Sequence, residues 1–282
     1  MKFGVSTWVW TAPLTNDDLK TLAPKIAQAG FDIIELPLEI EDGFDYQGAA
    51  ELIKDNGLSA TACVAMGPDR DLIHPDESIR DNGIRYVRHC IDAAEIIGAA
   101  NLVGPLYSAV GRVWQSTPEE RAADSDLLVE NLAELAQYAG EHNVMLGVEP
   151  LNRFETSFIN LAEQAIEIVD RVDHPACKIM LDSFHMNIEE KSAGLAIREV
   201  GSRLCQLHAC ENDRGAPGSG NVPWDEIAGA LKETGFDGPV VIESFTSKVK
   251  SIARAAAIWR PLADSQDDLA AEGLSFLQAK LN

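Results

Sequence analysis

Four short apolar segments in the second half of the chain each end in a side chain that can bind a metal. They end at Glu149, Asp182, His208 and Glu243, which are separated by 33, 26 and 35 residues. Each segment is a run of mainly apolar or small residues bounded by polar or turn residues, which predicts a buried strand. The separations match one strand–helix unit, so four consecutive parallel strands would present one ligand each at the same end of a sheet. We expect the four side chains to converge on one point.

Strands and helices are predicted to alternate along the whole chain. The predicted helices cover 16–29, 46–56, 78–97, 117–142, 161–172, 223–234 and 267–281, with a short, irregular one over 189–201. Strands over 2–8, 31–36, 58–65 and 101–104 precede the four that carry the candidate ligands. Eight such units without a break in composition predict an α/β fold, a (β/α)8 TIM barrel that forms a single domain over residues 1–282. A doubly wound sheet is the alternative, and it would place the four side chains in a line rather than a ring.

Length, composition and charge restrict the class of protein. With 282 residues, 46% of them hydrophobic, the chain is long enough for one large barrel. No apolar run approaches the ~20 residues of a membrane span, and the N-terminal segment lacks the pattern of a signal peptide, so we expect a cytoplasmic protein. The net charge of −22 argues against a nucleic-acid partner, because phosphates attract basic surfaces. The five scattered cysteines are expected to be reduced core residues.

Two glutamates, one aspartate and one histidine form a set of hard, mostly oxygen ligands. Such ligands favour Mn²⁺, Mg²⁺ or Co²⁺ over a structural Zn²⁺, which prefers sulfur and nitrogen. Three carboxylates around one divalent cation retain a negative charge, so the site suits the hydroxyl or carbonyl oxygens of a neutral substrate. Acidic residues also cap strand ends in α/β proteins, and this structural role is the alternative for any single one of the four.

Longer motifs around these residues resemble those of the ketose 3-epimerases. The most diagnostic are Glu149-Pro-Leu-Asn-Arg-Phe-Glu155 and Asp182-Ser-Phe-His-Met-Asn187, together with His208-Ala-Cys-Glu-Asn-Asp-Arg-Gly215 and Ile242-Glu-Ser-Phe245. The resemblance is to the D-tagatose, D-psicose (allulose) and L-ribulose 3-epimerases of the xylose-isomerase-like TIM-barrel superfamily, and it spans most of the chain. The Gly30-Phe-Asp-Ile-Ile-Glu35 segment and segment 218–224 also fit, but they are common across the superfamily and discriminate little.

The resemblance implies a metal-dependent enzyme that inverts C3 of free ketoses. It implies that Glu149, Asp182, His208 and Glu243 bind the metal, usually Mn²⁺, and that Glu149 and Glu243 also form the acid/base pair. The proton on C3 is weakly acidic, but a cation near O2 and O3 stabilises the enediolate that forms when it leaves. Two carboxylates on opposite faces of C3 can then remove one proton and return another. The relatives also imply a homodimer or homotetramer.

Six further residues are candidates for substrate binding. Glu155, His185 and Arg214 resemble the family residues that hydrogen-bond O1 and O2 of the sugar, and each lies three to six residues beyond a metal ligand. A helix cap, a core histidine and a solvated loop charge are the respective structural alternatives. Apolar side chains can also line a sugar pocket, because sugars pack their C–H faces on such walls. The candidates for this wall are Trp8, Met66 and Trp114.

Other functions stay open from the sequence. An aldose–ketose or hydroxypyruvate-type isomerase on the same barrel would differ in which carbon gives up its proton. An endonuclease-IV-like nuclease would need more histidines for a three-zinc cluster and a basic face, which six histidines and the acidic charge disfavour. A non-catalytic sugar-binding barrel would not need two opposed bases. Phosphorylated substrates are less favoured, since the loops after the last two strands carry no clear phosphate nest, although segment 215–221 is loosely compatible.

Overall fold

The computed structural model describes residues 1–39 and 43–281. Its strands form a closed parallel barrel in chain order, in which the first strand also pairs with the eighth. The strands are β1 (Lys2–Ser6), β2 (Ile33–Pro37), β3 (Ser59–Cys63), β4 (Ala99–Gly104), β5 (Met145–Val148), β6 (Cys177–Asp182), β7 (Leu204–Ala209) and β8 (Pro239–Ile242). The predicted (β/α)8 barrel is confirmed, and the doubly wound alternative is wrong because the sheet closes on itself.

Helices lie between and after the strands, and most begin and end close to the predicted residues. Thr15 and Thr117 each cap a helix with a capping box, which is closed by Asp18 and Glu120 respectively. Across the described ranges the helices are α1 (Asn16–Gln28), α2 (Tyr46–Asp55), α3 (Glu77–Ile97), α4 (Pro118–Glu141), α5 (Ala162–Val172), α6 (Ser183–Glu189), α7 (Ala193–Val200), α8 (Trp224–Thr234), α9 (Lys250–Ala255) and α10 (Gln266–Leu281). None of these described helices has both the length and the apolarity that crossing a bilayer requires.

The chain after β6 differs from the prediction. The sequence predicts one short irregular helix over 189–201, whereas the structure has α6 directly after the strand and then α7. Asp182 caps α6, and its Oδ1 accepts the N–H of Phe184 at 2.7 Å. His185 therefore lies in the first turn of a helix rather than on a loop. The segment has too few residues for an apolar period to be recognised, and α9 was missed for the same reason.

Polar side chains from four strands meet inside the barrel below its carboxyl end. Gln206 donates from Nε2 to Oε2 of Glu35 at 2.6 Å, and Asn101 donates from Nδ2 to Oε1 of Gln206 at 3.2 Å. Thr61 donates its hydroxyl to the same Glu35 oxygen at 3.1 Å. These residues belong to β2, β3, β4 and β7, so their contacts cross the interior. Apolar residues fill the space between the strands and the helices. All five cysteines are buried and free, as predicted.

Candidate active site

A cavity of about 520 Å³ opens at the carboxyl ends of the strands. Every strand contributes to its wall, either with its own last residues or with the segment that follows it. Ligand sites for small molecules are commonly about 300–1,000 Å³, and in (β/α)8 barrels they lie at this end. The position and the size of the cavity are therefore those of a small-molecule site.

Glu149, His208 and Glu243 line this cavity, Asp182 contacts Arg214 of its wall, and all four candidate metal ligands are almost completely buried. Glu149 and Glu243 directly follow β5 and β8, Asp182 is the last residue of β6, and His208 lies near the end of β7. The register of β6 and β7 pairs Asp182 with His208. The ligand atoms form two groups, each with its atoms within 4.8 Å of one another. The groups are Glu149, Asp182 and His185, and Glu35, His208 and Glu243.

Arg214 joins the two groups. Its Nη1 donates to Oδ2 of Asp182 and, at 2.7 Å, to Oε2 of Glu243. The guanidinium is buried, and its positive charge offsets the repulsion between the carboxylates. Arg214 has a φ of 68°, a conformation that non-glycine residues rarely adopt and that is often found at functional sites. A divalent cation held by the same carboxylates would offset the same repulsion.

His208 has the arrangement expected of a metal-binding histidine. Its Nε2 lies 3.1 Å from Oε2 of Glu35. Its Nδ1 is buried without a hydrogen-bond partner, although Oε1 of Glu243 lies 3.2 Å away. Metal-binding histidines usually donate one ring N–H to a carboxylate and leave the other nitrogen for the metal. The donor set therefore fits a divalent cation held by His208 and the three carboxylates.

The buried carboxylates around the cavity have shifted pKa values. Burial raises the pKa of Glu149 well above its usual range, and the charges of Glu243 and Asp182 raise it further. Burial acts in the same direction on Glu243, but His208 and Arg214 outweigh it and hold the pKa of Glu243 below its usual value. Buried negative charge without a partner is costly, and a bound cation would favour the ionised form of Glu149.

Asn152 brings His185 and Glu155 together. Its backbone N–H donates to Nδ1 of His185 at 3.0 Å, and its side-chain amide donates to Oε1 of Glu155 at 2.7 Å. Burial, together with Arg214, lowers the pKa of His185 to about 3, so the ring is neutral, and Nη2 of Arg214 lies 3.1 Å from its Nε2. This Nε2 lies 3.5 Å from Oε1 of Glu149. Both His185 and Glu155 line the cavity and present polar atoms to it.

The three candidates for an apolar wall differ in their placement. Trp8 and Met66 are buried and line the cavity. Trp8 lies in a 3₁₀ turn after β1, and its ring packs against Phe245 with centroids 5.6 Å apart. The structure does not bring Trp114 to the cavity: its side chain is half exposed, and the guanidinium of Arg112 stacks on its ring at 4.2 Å. The loop after β4 leaves the cavity at Gly111, whose N–H donates to the main-chain oxygen of Glu155 at 2.7 Å.

Comparison with known proteins identifies the family to which this chain belongs. The sequence model of the xylose isomerase-like TIM barrel family matches residues 23–280. A ketose 3-epimerase of Arthrobacter globiformis is 31% identical, over 100% of this chain and 97% of that protein. A D-psicose 3-epimerase of Ruminiclostridium cellulolyticum is 33% identical, over 95% and 92%. A solved L-ribulose 3-epimerase superposes with a TM-score of 0.94 at 28% identity, over 99% of this chain and 94% of that one. The chain belongs to the ketose 3-epimerases of this family.

Membership of the ketose 3-epimerases makes the protein an enzyme of the isomerase class. The barrel alone could not decide this, because many unrelated reactions use the same fold. Similarity to several epimerases over nearly the full length of the chain restricts the reaction to the isomerase class. The roles of the individual side chains in this epimerase stay predictions.

Glu35 is a residue of the epimerase site that sequence reasoning missed. It is fully buried, and His208, Gln206 and Thr61 all contact its Oε2. Burial raises its pKa, but His208 and the donated hydrogen bonds outweigh burial and hold the pKa below its usual value. A glutamate within an apolar strand indicates a buried polar contact, because a buried carboxylate needs hydrogen-bond donors. The motif that contains it is common across the superfamily and therefore does not single out this residue.

Glu211, a second residue that sequence reasoning missed, anchors the glycine-rich segment 215–221. Its Oε1 accepts the N–H of Gly218 at 2.7 Å and the indole N–H of Trp224 at 2.8 Å. Its Oε2 accepts the N–H of Val222 at 3.0 Å. Glu211 is completely buried. A segment whose composition indicates flexibility is thus fixed by a buried carboxylate just beyond β7.

Proposed function

We propose that this epimerase inverts C3 of free ketoses of the D-tagatose, D-fructose/D-psicose or L-ribulose type. One observation carries the proposal: two buried glutamates, Glu149 and Glu243, line the same cavity in a chain that is similar to ketose 3-epimerases over its full length. They follow β5 and β8, which two other strands separate. Carboxylates that reach the cavity from separate strands can approach a bound carbon from different sides.

The two glutamates suit an inversion because each can either accept or donate a proton. In one direction, one carboxylate removes the C3 proton. The other glutamate, in its protonated form, donates a proton to the opposite face of the enediolate. The roles exchange in the reverse reaction. Proton transfers of this kind typically contribute about 10²–10⁴ in rate. Burial of both groups keeps bulk water away from the reacting carbon.

The same site is proposed to hold a divalent cation on Glu149, Asp182, His208 and Glu243. The resemblance indicates Mn²⁺, with Co²⁺ and Mg²⁺ as alternatives, and such a cation supplies electrostatic stabilisation of negatively charged oxygens. The described side chains complete the substrate site. His185, Arg214 and Glu155 are proposed to hydrogen-bond the O1 and O2 end of the sugar, as the resemblance implies. Trp8 and Met66 form part of the apolar wall.

Many (β/α)8 barrels bind phosphate at the loop after β7. In this protein the contacts of that loop favour an unphosphorylated substrate. The N–H groups of Gly218 and Val222 already donate to Glu211, and the N–H of Asn221 donates to Oδ1 of Asn212 at 2.9 Å. A phosphate at this position would have to displace a buried carboxylate of like charge. An uncharged ketose meets no such competition.

Isotope exchange tests the proposal. The Mn²⁺-loaded protein is incubated in deuterated water with D-tagatose, D-fructose and L-ribulose, and the products are separated by chromatography and examined by NMR. We expect deuterium at C3 and formation of the C3 epimer. An aldose product, with exchange at C1, would instead support the aldose–ketose isomerase alternative. Absence of exchange at C3 for all three sugars would overturn the proposal.

The homodimeric or homotetrameric state is proposed on the resemblance alone, and the cytoplasmic location stays an expectation from the sequence. Light scattering coupled to size-exclusion chromatography measures the first. A mass equal to that of one 30.6 kDa chain at micromolar concentration would contradict it.

A further inference from the structure

Arg70 lies on the cavity wall. It is on the side of the barrel opposite β7, the strand that carries the proposed metal ligand His208. In a closed barrel of eight strands in chain order, β3 lies opposite β7. The loop after β3 contributes Met66 and Arg70 to the wall, and β7 with its loop contributes His208 and Arg214. If the O1 and O2 end of a ketose lies at the β5–β7 side, its later carbons extend toward the loop after β3. Arg70 is the cationic side chain on that loop at the cavity wall.

The guanidinium of Arg70 is held in place before any ligand binds. It lies over the ring of Tyr86, 3.9 Å from the centroid, and its Nε lies 3.6 Å from Oδ1 of Asp69. Tyr86 is itself fixed, because it is buried and its hydroxyl donates to the main-chain oxygen of Leu38 at 2.7 Å. A stacked, planar guanidinium loses little freedom when it forms further hydrogen bonds. The residue is therefore suited to recognise a ligand group in a defined position.

The wall near Arg70 suits a hydroxyl group rather than an anion. Glu39, which follows β2, also lines the cavity. A guanidinium only donates and a carboxylate only accepts, so together they match a hydroxyl, which does both. A carboxylate or phosphate at the end of the substrate would be repelled by Glu39 and by the net charge of −22.

We propose that Arg70 is a specificity-determining residue that donates hydrogen bonds to the terminal hydroxyls of a ketohexose. The proposal rests on the proposed C3 epimerisation of free ketoses. A ketotetrose has neither C5 nor C6, so it cannot make these contacts. The enzyme is therefore expected to process six-carbon ketoses more efficiently than four-carbon ketoses, and Arg70 is the origin of part of that difference.

The test compares kcat/KM for D-tagatose and for a ketotetrose in the wild-type enzyme and in two variants. Arg70→Met keeps an unbranched stem against Tyr86 but removes the donors, and Arg70→Gln keeps a neutral donor. We expect Arg70→Met to lower kcat/KM for D-tagatose by about 10- to 100-fold, the effect of losing a hydrogen bond from a charged donor. The ketotetrose value is expected to change by less than about twofold. Arg70→Gln is expected to show a smaller loss with the same selectivity.

Arg88→Met is the matched control. Arg88 also stacks on a tyrosine, with its guanidinium 4.7 Å from the centroid of Tyr138, and it pairs with Glu134 at 2.6 Å. It lies on the outer face of α3, away from the cavity wall. Both sugars should be processed at wild-type efficiency by this variant.

The results of this test distinguish an error in the role of Arg70 from an error in the proposed function. Unchanged efficiency for D-tagatose in Arg70→Met, or an equal loss for both sugars, overturns the role of Arg70. If Arg70→Met does not fold, an unchanged ratio between the two sugars in Arg70→Gln overturns it instead. A wild-type enzyme that epimerises no ketose overturns the proposed function, and this inference with it.

Discussion

Nε2 of His208 lies 3.1 Å from Oε2 of Glu35, although the two residues belong to β7 and β2 and meet across the barrel interior. The contact orients the imidazole so that Nδ1 faces Glu243. It also favours the tautomer with the proton on Nε2, which leaves Nδ1 free to bind a cation. A carboxylate outside the proposed ligand set thus orients a residue that is proposed to bind the metal.

Glu35→Gln is expected to weaken divalent-cation binding without removing any proposed ligand. Loss of such an outer partner typically costs about 10- to 100-fold in metal affinity. Titration of the metal-stripped protein with Mn²⁺, followed by calorimetry or by the electron paramagnetic resonance of the free ion, measures the change. Glu233→Gln, which removes an exposed partner of Arg198 on the surface, is the control. Equal affinity in Glu35→Gln and the wild type would contradict the role of Glu35.

Glu149→Gln and Glu243→Gln are each expected to abolish net epimerisation while leaving ligand binding measurable. Each variant retains one base, so each should still exchange the C3 proton of the epimer whose proton faces that base. The two variants are therefore expected to exchange opposite epimers in deuterated water. NMR of each pure epimer detects the exchange, and metal analysis establishes that both variants are loaded. Turnover at the wild-type rate in Glu243→Gln would contradict its assignment as an acid/base residue.

The barrel could be predicted from the sequence because its strands and most of its helices have apolar patterns with a definite period. The position of the candidate ligands at strand ends could be predicted for the same reason, since parallel strands deliver their last residues to one end. Contacts between distant strands leave no such pattern. Glu35 and Glu211 act on residues or loops they meet only after folding, so the sequence does not show which partners they contact. Sequence patterns also do not give the direction of the loop that carries Trp114, which depends on its backbone geometry at Gly111.

Glu211→Gln is expected to destabilise the protein without altering the proposed metal ligands. The carboxylate accepts from three main-chain N–H groups, those of Asn212, Gly218 and Val222, and from one indole N–H. An amide has only one oxygen, so at least one buried donor would face an NH₂ group. A buried donor left without an acceptor costs about 1–3 kcal/mol, which urea unfolding monitored by circular dichroism can resolve. Asp225→Asn, which alters an exposed partner of Lys280, serves as the control. A loss below about 0.5 kcal/mol would show that Glu211 does not hold the loop.

The buried cysteines predict how stability depends on alkaline pH. Burial raises the pKa of Cys177 to about 12, and burial also raises the pKa of Cys205 to about 12. In the unfolded chain a thiol ionises near pH 8.5. Above that pH the unfolded state binds fewer protons than the folded state, so the stability that each thiol contributes is fully present below pH ~8.5 and declines as the pH rises toward 12.

The free energy of unfolding falls by at most about 1.4 kcal/mol per pH unit for each thiol whose pKa is raised in this way. Cys177→Ala removes one of these thiols. We expect urea unfolding of the wild type at pH 8, 9 and 10 to show a steeper loss of stability than that of Cys177→Ala. Ellman's reagent is expected to react slowly with the native protein at pH 8 and with five thiols after unfolding. Identical pH slopes in the two proteins, or rapid labelling of the native protein, would contradict the burial of a neutral thiol at Cys177.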